Sequence, residues 1–322
     1  MQFPTAALLF VAFVLLFAPL PPPCNAFTVS KYSKFPFTLS TTTQPTNLEQ
    51  LFSTFESTNE PNSSSSSSSS FDVILSSGFL CFSQHAGFAA SLEDLNLRNR
   101  IDRFVGTSSG SLAASMLAAG ISAEDVAAEL SAKRPIAQCR PSSRFWRGVL
   151  STTSLQNRLR TLLPETFEEL EKPLAVGVFD VKTQQTRLVS AGLLIPAVAA
   201  SCAVSGGMFA PVRLEDGRLY ADGGAIDRTF VRKWREWDTC QNGAKATNTD
   251  RKALVHLVTS QNDGVYLQRD GIPDEDDRDD IISIVHSPRT EGGLFSLGDF
   301  EMEREITRSA VTQVLRQQMT AL

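Results

Sequence analysis

Short apolar runs and longer helical patterns alternate from Phe71 onward, and this alternation constrains the fold more than any other feature of the chain. Asp72 to Leu75 contains Val73, Ile74 and Leu75, an apolar run of strand length. From Gln84 to Leu95, His85, Phe88, Ala89, Leu92 and Leu95 recur at helical spacing. Ile101 to Val105 is a second strand run. Ser109 to Ala119 follows as a helix of small residues, with Gly120 in the C-cap role. Ser122 caps a further helix, with Asp125 three residues on. Strand, helix, strand, helix in this order calls for crossovers that lay the strands side by side in one direction, a parallel sheet.

Downstream the pattern continues more loosely. Leu174 to Phe179 and Thr186 to Val189 read as strands around a polar turn. Ala197 to Ala203 reads as a small-residue helix. Leu219 to Ala221 is a strand running into Asp222-Gly223-Gly224. Ala253 to Thr259 is strongly apolar, and Ile281 to Val285 adds another strand run. Glu301 to Met319 is an amphipathic helix, its buried stripe expected at Ile306, Ala310, Val311, Val314 and Leu315.

The chemistry centres on Gly106-Thr107-Ser108-Ser109-Gly110, a G-x-S-x-G pattern between an apolar strand and a small-residue helix. That setting is the strand–turn–helix of a nucleophile elbow. A serine there sits in a sharp, strained turn, and the two glycines let strand and helix backbones pass without a clashing Cβ. The helix N-terminus favours negative charge developing beside Ser108. Such a serine needs a base. The chain has only three histidines, His85, His256 and His286. A Ser-His-Asp triad of the α/β-hydrolase order needs a downstream histidine, which leaves His256 in an apolar run or His286 beside Ser287-Pro288. The other scheme is a Ser–Asp dyad, in which Asp222 emerges at a strand end before two glycines. A carboxylate raised in pKa by burial can accept the serine proton.

The ordered combination resembles the patatin-like phospholipase family, whose catalytic domain carries a glycine-rich oxyanion loop, a G-x-S-x-G elbow and a D-G-G or D-G-A motif. Here the last two are Gly106 to Gly110 and Asp222 to Gly224, preceded by Ala200-Ser201-Cys202-Ala203 and Phe209-Ala210-Pro211-Val212. The first is Leu75-Ser76-Ser77-Gly78-Phe79-Leu80-Cys81-Phe82, then His85 and Gly87. It keeps one glycine of three, and Cys81 stands where the family has a basic residue. The resemblance implies a three-layer α/β/α sandwich around a mainly parallel sheet. It implies a lipid acyl hydrolase acting on phospholipids, galactolipids or acylglycerols, with Ser108 as nucleophile and Asp222 as base. Backbone N–H groups of Gly78, Phe79 and Ser109 would form the oxyanion hole, and Gly106, Gly110, Gly223 and Gly224 would be the motif glycines. It implies a lipid substrate at a membrane or lipid-droplet surface, and no metal or cofactor. A catalytically impaired, patatin-fold lipid-binding or regulatory protein is the alternative that the altered first loop raises.

Composition excludes other classes. A net charge of −5 over 322 residues, with no long Lys/Arg run, disfavours a nucleic-acid partner. Five cysteines without CxxC spacing argue against a zinc site or a disulfide framework. Phe145-Trp146, Trp234 and Trp237 are candidates for a lipid surface or for the core. At the N-terminus, Ala6 to Leu20 is apolar and uncharged, too short for a membrane span and suited to a signal-peptide core, so residues 1–26 read as a signal peptide. Residues 27–70 begin with Phe27, carry Lys31 and Lys34 with many Ser/Thr, show no acid before Glu49, and end in the run Ser63 to Ser70. This segment resembles the second part of the leader of plastid proteins in algae with secondary plastids; otherwise the chain would be secreted or endomembrane. The expected organisation is a catalytic core over 71–230 and a C-terminal extension over 231–322 packing on the same domain.

Overall fold

The computed structural model describes residues 70–132, 140–143, 146–204, 206, 208–241, 251–258, 280–287 and 296–320. All of them belong to one compact unit, Thr43–Leu322. The leader segments, Phe145, Cys139 and most of the acidic run from Asp274 lie outside the described residues.

Strand β1 (Phe71–Leu75) is followed by helix α1 (Phe82–Asp94), β2 (Ile101–Thr107), α2 (Ser109–Ala118) and α3 (Ala123–Ser131). Two short strands, β3 (Arg140–Pro141) and β4 (Leu150–Ser151), form a separate ribbon before α4 (Thr153–Leu159). Then come β5 (Leu174–Asp180), β6 (Gln185–Val189), α5 (Leu194–Ser201), β7 (Val212–Arg213) and β8 (Leu219–Asp222). The chain continues with α6 (Val231–Gln241), β9 (Ala253–Val258), β10 (Ile281–Ser287) and α7 (Phe300–Thr320).

The main sheet has the order β10-β9-β1-β2-β5-β8-β7, with β6 joined to β5. The pairings from β10 through β5 are all parallel, and those of β6, β7 and β8 are antiparallel. Alternate strand residues face opposite layers. Val73 and Leu75 join a large core with Phe88, Leu112, Val126, Val198 and Val311, from α1, α2, α3, α5 and α7. Ile74, Val105 and Val255 face the other way, onto Phe230, Trp234 and Trp237 at α6. The architecture is therefore the expected three-layer sandwich around a mainly parallel sheet.

Local signals explain most boundaries. Gly120 ends α2's turn at φ 83°, and the Ser122 hydroxyl accepts the Asp125 N–H at 3.1 Å. Two expectations need correction. The small-residue helix starts at Leu194, earlier than Ala197, because Pro196 lies in its first turn, where its missing N–H costs nothing. In α7, Ile306 is exposed, while Thr307, Glu303 and Arg304 are buried. That helix crosses α1 so closely that a Cβ on Gly87 would stand 2.5 Å from the Arg304 carbonyl oxygen, which turns a polar row inward. Glu303 is satisfied there, accepting from the Ser83 hydroxyl at 2.6 Å and from Gln84 at 3.3 Å. Trp234 and Trp237 are core residues. Trp234 Nε1 donates to Asp72 at 2.7 Å, and Arg103, which pairs with Asp72, lies over the Trp237 ring at 4.5 Å.

Candidate active site

The register of β5 brings the two candidate catalytic side chains together. Gly177 pairs with Thr107 of β2, and the next residue, Val178, pairs with Asp222 of β8. β6 occupies the other edge of β5 over Val176–Asp180. So β2 and β8 lie end to end along one edge, running toward each other. Ser108, the residue after β2, meets Asp222, the last residue of β8.

Ser108 opens α2 with φ 53° and ψ −123°, backbone that a side chain rarely adopts. Strain of this kind costs about 1–3 kcal/mol and persists only where the surroundings over-determine it. They do so here. The Ser108 N–H donates to Ser201 Oγ at 2.9 Å, and that hydroxyl donates to the Gly177 carbonyl at 2.7 Å. The Ser108 carbonyl accepts from the Ser111 hydroxyl at 2.6 Å and from the Ser111 N–H at 2.9 Å. The glycines supply the space. A Cβ on Gly110 would stand 2.4 Å from the Leu75 carbonyl oxygen, and one on Gly106 would stand 2.6 Å from that of Gly110.

Asp222 is 7% exposed. Its Oδ1 accepts the Gly224 N–H at 2.7 Å, and the Ser108 hydroxyl stands beside the carboxylate and favours its ionised form. Burial pushes its pKa up to about 6, while the Ser108 hydroxyl and the Gly224 N–H pull the other way. Cys202 lies alongside. Burial, with the Asp222 charge adding to it, pushes its thiol up to about 12, so it stays protonated and donates to the Ser108 carbonyl at 3.4 Å.

The loop after β1 closes the site from the other side. Gly78 accepts on its carbonyl from the Ser109 hydroxyl at 2.6 Å and from the Cys81 N–H at 3.2 Å. Among the described residues, the N–H groups of Gly78, Phe79 and Ser109 have no acceptor. Behind Ser109 runs a buried chain. His85 Nε2 is 3.1 Å from Ser109 Oγ, His85 Nδ1 is 3.1 Å from His256 Nδ1, and His256 Nε2 is 2.5 Å from Ser287 Oγ. Since the Ser109 proton goes to Gly78, donor counting assigns His85 Nε2 as a donor and Nδ1 as an acceptor. Burial pushes His85 down to about 3, opposed by the Ser76 carbonyl and assisted by the Arg228 charge. His256 is also driven well below its ordinary value, chiefly by burial. Both rings are neutral. With its two nitrogens directed at His85 and Ser287, His256 has none to offer Ser108, and His286 is exposed on β10.

Two residues of this site were not singled out by the sequence. Ser201 lies in the small-residue motif, where a lone hydroxyl among alanines was the available signal. Arg228, 5% exposed, reaches the Ser77 and Val258 carbonyls from the turn after Asp222, and no local pattern marks it. Among the described residues no three His, Cys, Asp or Glu side chains converge as metal ligands would.

A strained serine at a strand–helix elbow, beside a buried carboxylate, is an arrangement suited to a serine esterase built on an α/β sheet. The family model of the patatin-like phospholipases matches residues 73–233. The chain belongs to the patatin-like phospholipase family, a family of lipid acyl hydrolases. Among solved structures it is similar to VipD from Legionella pneumophila, at 14% identity and TM-score 0.46, over 78% of this chain and 67% of that one. It is also similar to the type III effector protein ExoU, at 13% identity and TM-score 0.38, over 78% of this chain and 54% of that one. The chain thus spans about half the length of ExoU. ExoU in complex with SpcU from Pseudomonas aeruginosa matches at 14% identity and TM-score 0.37, over 78% of this chain and 53% of ExoU.

Proposed function

We propose that this chain hydrolyses fatty acyl esters of phospholipids, galactolipids or acylglycerols through a Ser108–Asp222 dyad. The observation that carries the reading is the meeting of the strained Ser108 with a desolvated carboxylate whose pKa lies near 6. Ser108 Oγ bonds to the acyl carbon while its proton passes to Asp222, and the carbonyl pair moves onto oxygen. The N–H groups of Gly78, Phe79 and Ser109 donate to that oxyanion, aided by the N-terminus of α2. Collapse breaks the ester C–O bond, and the departing alcohol oxygen takes the proton from Asp222. Water then attacks the acyl-serine and gives a proton to Asp222. The second collapse returns it to Ser108 and frees the fatty acid. Phe79 and Ile226, beside the two site loops, are half exposed and suit a substrate presented at a lipid surface.

The test is fatty acid release from mixed lipid vesicles by the full chain, beside Ser108→Ala and Asp222→Ala. Release by the wild type and loss in both folded variants is the expected result. A folded wild type that releases nothing, and whose Ser108 takes no label from a serine-directed phosphonate, would favour a non-catalytic, lipid-binding role instead.

A further inference from the structure

We infer that Arg228 and the Ser109 hydroxyl are positioning residues that aim the oxyanion donors by holding two successive carbonyls of the loop after β1. The inference rests on the dyad reading above and deepens it.

The loop is poor in glycine, with Ser77 and Phe79 on either side of Gly78, so glycine freedom alone does not set its peptide planes and side chains must hold them. Leu80 adds strain, with φ 61°. The first plane joins Ser77 to Gly78. Its carbonyl accepts from Arg228 Nη2 at 3.3 Å and from Nε at 3.4 Å. Arg228 is in turn tied to the loop, because its own carbonyl accepts the Ser77 N–H at 2.8 Å and its guanidinium also donates to the Val258 carbonyl. The second plane joins Gly78 to Phe79, and its carbonyl accepts from the Ser109 hydroxyl at 2.6 Å. No peptide in the chain is cis among the described residues, so N–H and C=O point in opposite directions in each plane. Fixing the Ser77 carbonyl on Arg228 aims the Gly78 N–H away from it. Fixing the Gly78 carbonyl on the buried Ser109 hydroxyl turns the Phe79 N–H outward. These are two N–H groups without an acceptor among the described residues. Arg228 comes from the turn that follows Asp222, and Ser109 is the neighbour of Ser108. The loop is therefore registered to both halves of the dyad. Neither side chain needs to touch substrate. Arg228 acts through the Ser77 peptide and Ser109 through the Gly78 peptide.

The experiment compares the full-length wild type, Ser108→Ala, Arg228→Met and Arg228→Lys on a soluble p-nitrophenyl ester, with phosphonate labelling of Ser108 and a urea unfolding midpoint for each. Arg228→Met is expected to lower kcat about 100-fold, the size of one lost oxyanion donor, with KM within about twofold of wild type. Labelling should slow in parallel, and Arg228→Lys should recover about tenfold of the loss. If Arg228→Met does not fold, Arg228→Lys decides alone: a kcat drop of about tenfold at unchanged KM supports the clamp. Unchanged kcat in either folded variant, or a fall in kcat that simply follows the loss of folded protein, overturns it. A wild type with no turnover and no labelling overturns the dyad reading and the clamp together. Wild-type turnover that survives Arg228→Met overturns the clamp only.

Discussion

Ser108 and Asp222 meet because adjacent residues of β5, Gly177 and Val178, pair with the two strands that end at them. The meeting sets a residue under backbone strain beside a carboxylate deprived of water, and each condition has a measurable consequence.

The first concerns pH. In the dyad reading Asp222 accepts the serine proton only when ionised, and burial sets its pKa at about 6. The dyad then predicts that kcat/KM of the free enzyme falls tenfold per pH unit below pH 6 and levels off above it. His85, held near 3, adds no inflection between pH 5 and 8. A pH–rate profile on a substrate that does not titrate checks this. A midpoint near 4 would mean that Asp222 is solvated during turnover.

The same burial makes Asp222 a stability cost. Its folded pKa of about 6 lies above the ordinary 3.8, so the folded state holds a proton that the unfolded chain releases between those values. Stability therefore falls as pH rises from about 4 to 6, by on the order of 3 kcal/mol for a two-unit shift. Asp222→Asn removes the titration and keeps an acceptor for the Gly224 N–H. The expected outcome is an inactive protein more stable than wild type by about 2–3 kcal/mol at pH 7.5, with the gain vanishing below pH 4. Urea unfolding at the two pH values measures it.

What the sequence could reveal of this site was set by distance along the chain. The elbow was legible because strand, Gly106, Ser108, Gly110 and helix are contiguous, and each carries its own steric reason. Gly120 and Ser122 were legible as caps on the same grounds. Asp222 was legible only through its motif, since its meeting with Ser108 depends on β2 and β8 sharing one edge of β5. Arg228 and the His85–His256–Ser287 chain were not legible at all, because each bond there joins groups far apart in the chain whose nearness is set by the packing of helix and sheet. The buried face of α7 was misread for a related reason. Apolar periodicity pointed to Ile306, but the close approach at Gly87 buried Thr307 and Arg304 instead.

The elbow's steric demand gives a third prediction. Gly110→Ala would place a Cβ 2.4 Å from the Leu75 oxygen and 2.6 Å from that of Ser76, both backbone atoms that cannot swing aside. Relief requires α2 to move off β1, which carries the oxyanion loop at its end. A loss of about 1–3 kcal/mol in stability and a larger proportional loss in kcat than in KM are expected. Urea unfolding and steady-state kinetics test both.

Ser201 carries a fourth. Its hydroxyl accepts the Ser108 N–H and donates to Gly177, so Ser201→Ala takes a partner from the half-buried Ser108 N–H and from the Gly177 carbonyl at the proposed nucleophile. The cost should be about 1–3 kcal/mol, with kcat lowered because the φ of Ser108 loses a restraint. Ser201→Thr keeps the hydroxyl and should retain most of the activity. Equal losses in the Ala and Thr variants would point to packing in α5 instead.

The last prediction separates stability from chemistry along one strand. Asp72 is the second residue of β1, while the proposed oxyanion loop leaves the strand's other end. Its Oδ2 accepts from Arg103 Nε at 2.9 Å and from Trp234 Nε1 at 2.7 Å, all three side chains being buried. Asp72→Ala leaves the Arg103 charge and the Trp234 N–H without their carboxylate. Breaking a buried pair in this way costs about 3–5 kcal/mol, because the remaining charge stays desolvated. Arg103→Met with Asp72→Ala removes both charges and should regain much of that loss. In each variant that stays folded, kcat on the soluble ester should match the wild type, since no bond of this cluster reaches Ser108 or Asp222. A kcat that falls in step with the unfolding free energy would instead mean that the lower half of β1 controls the loop at its top.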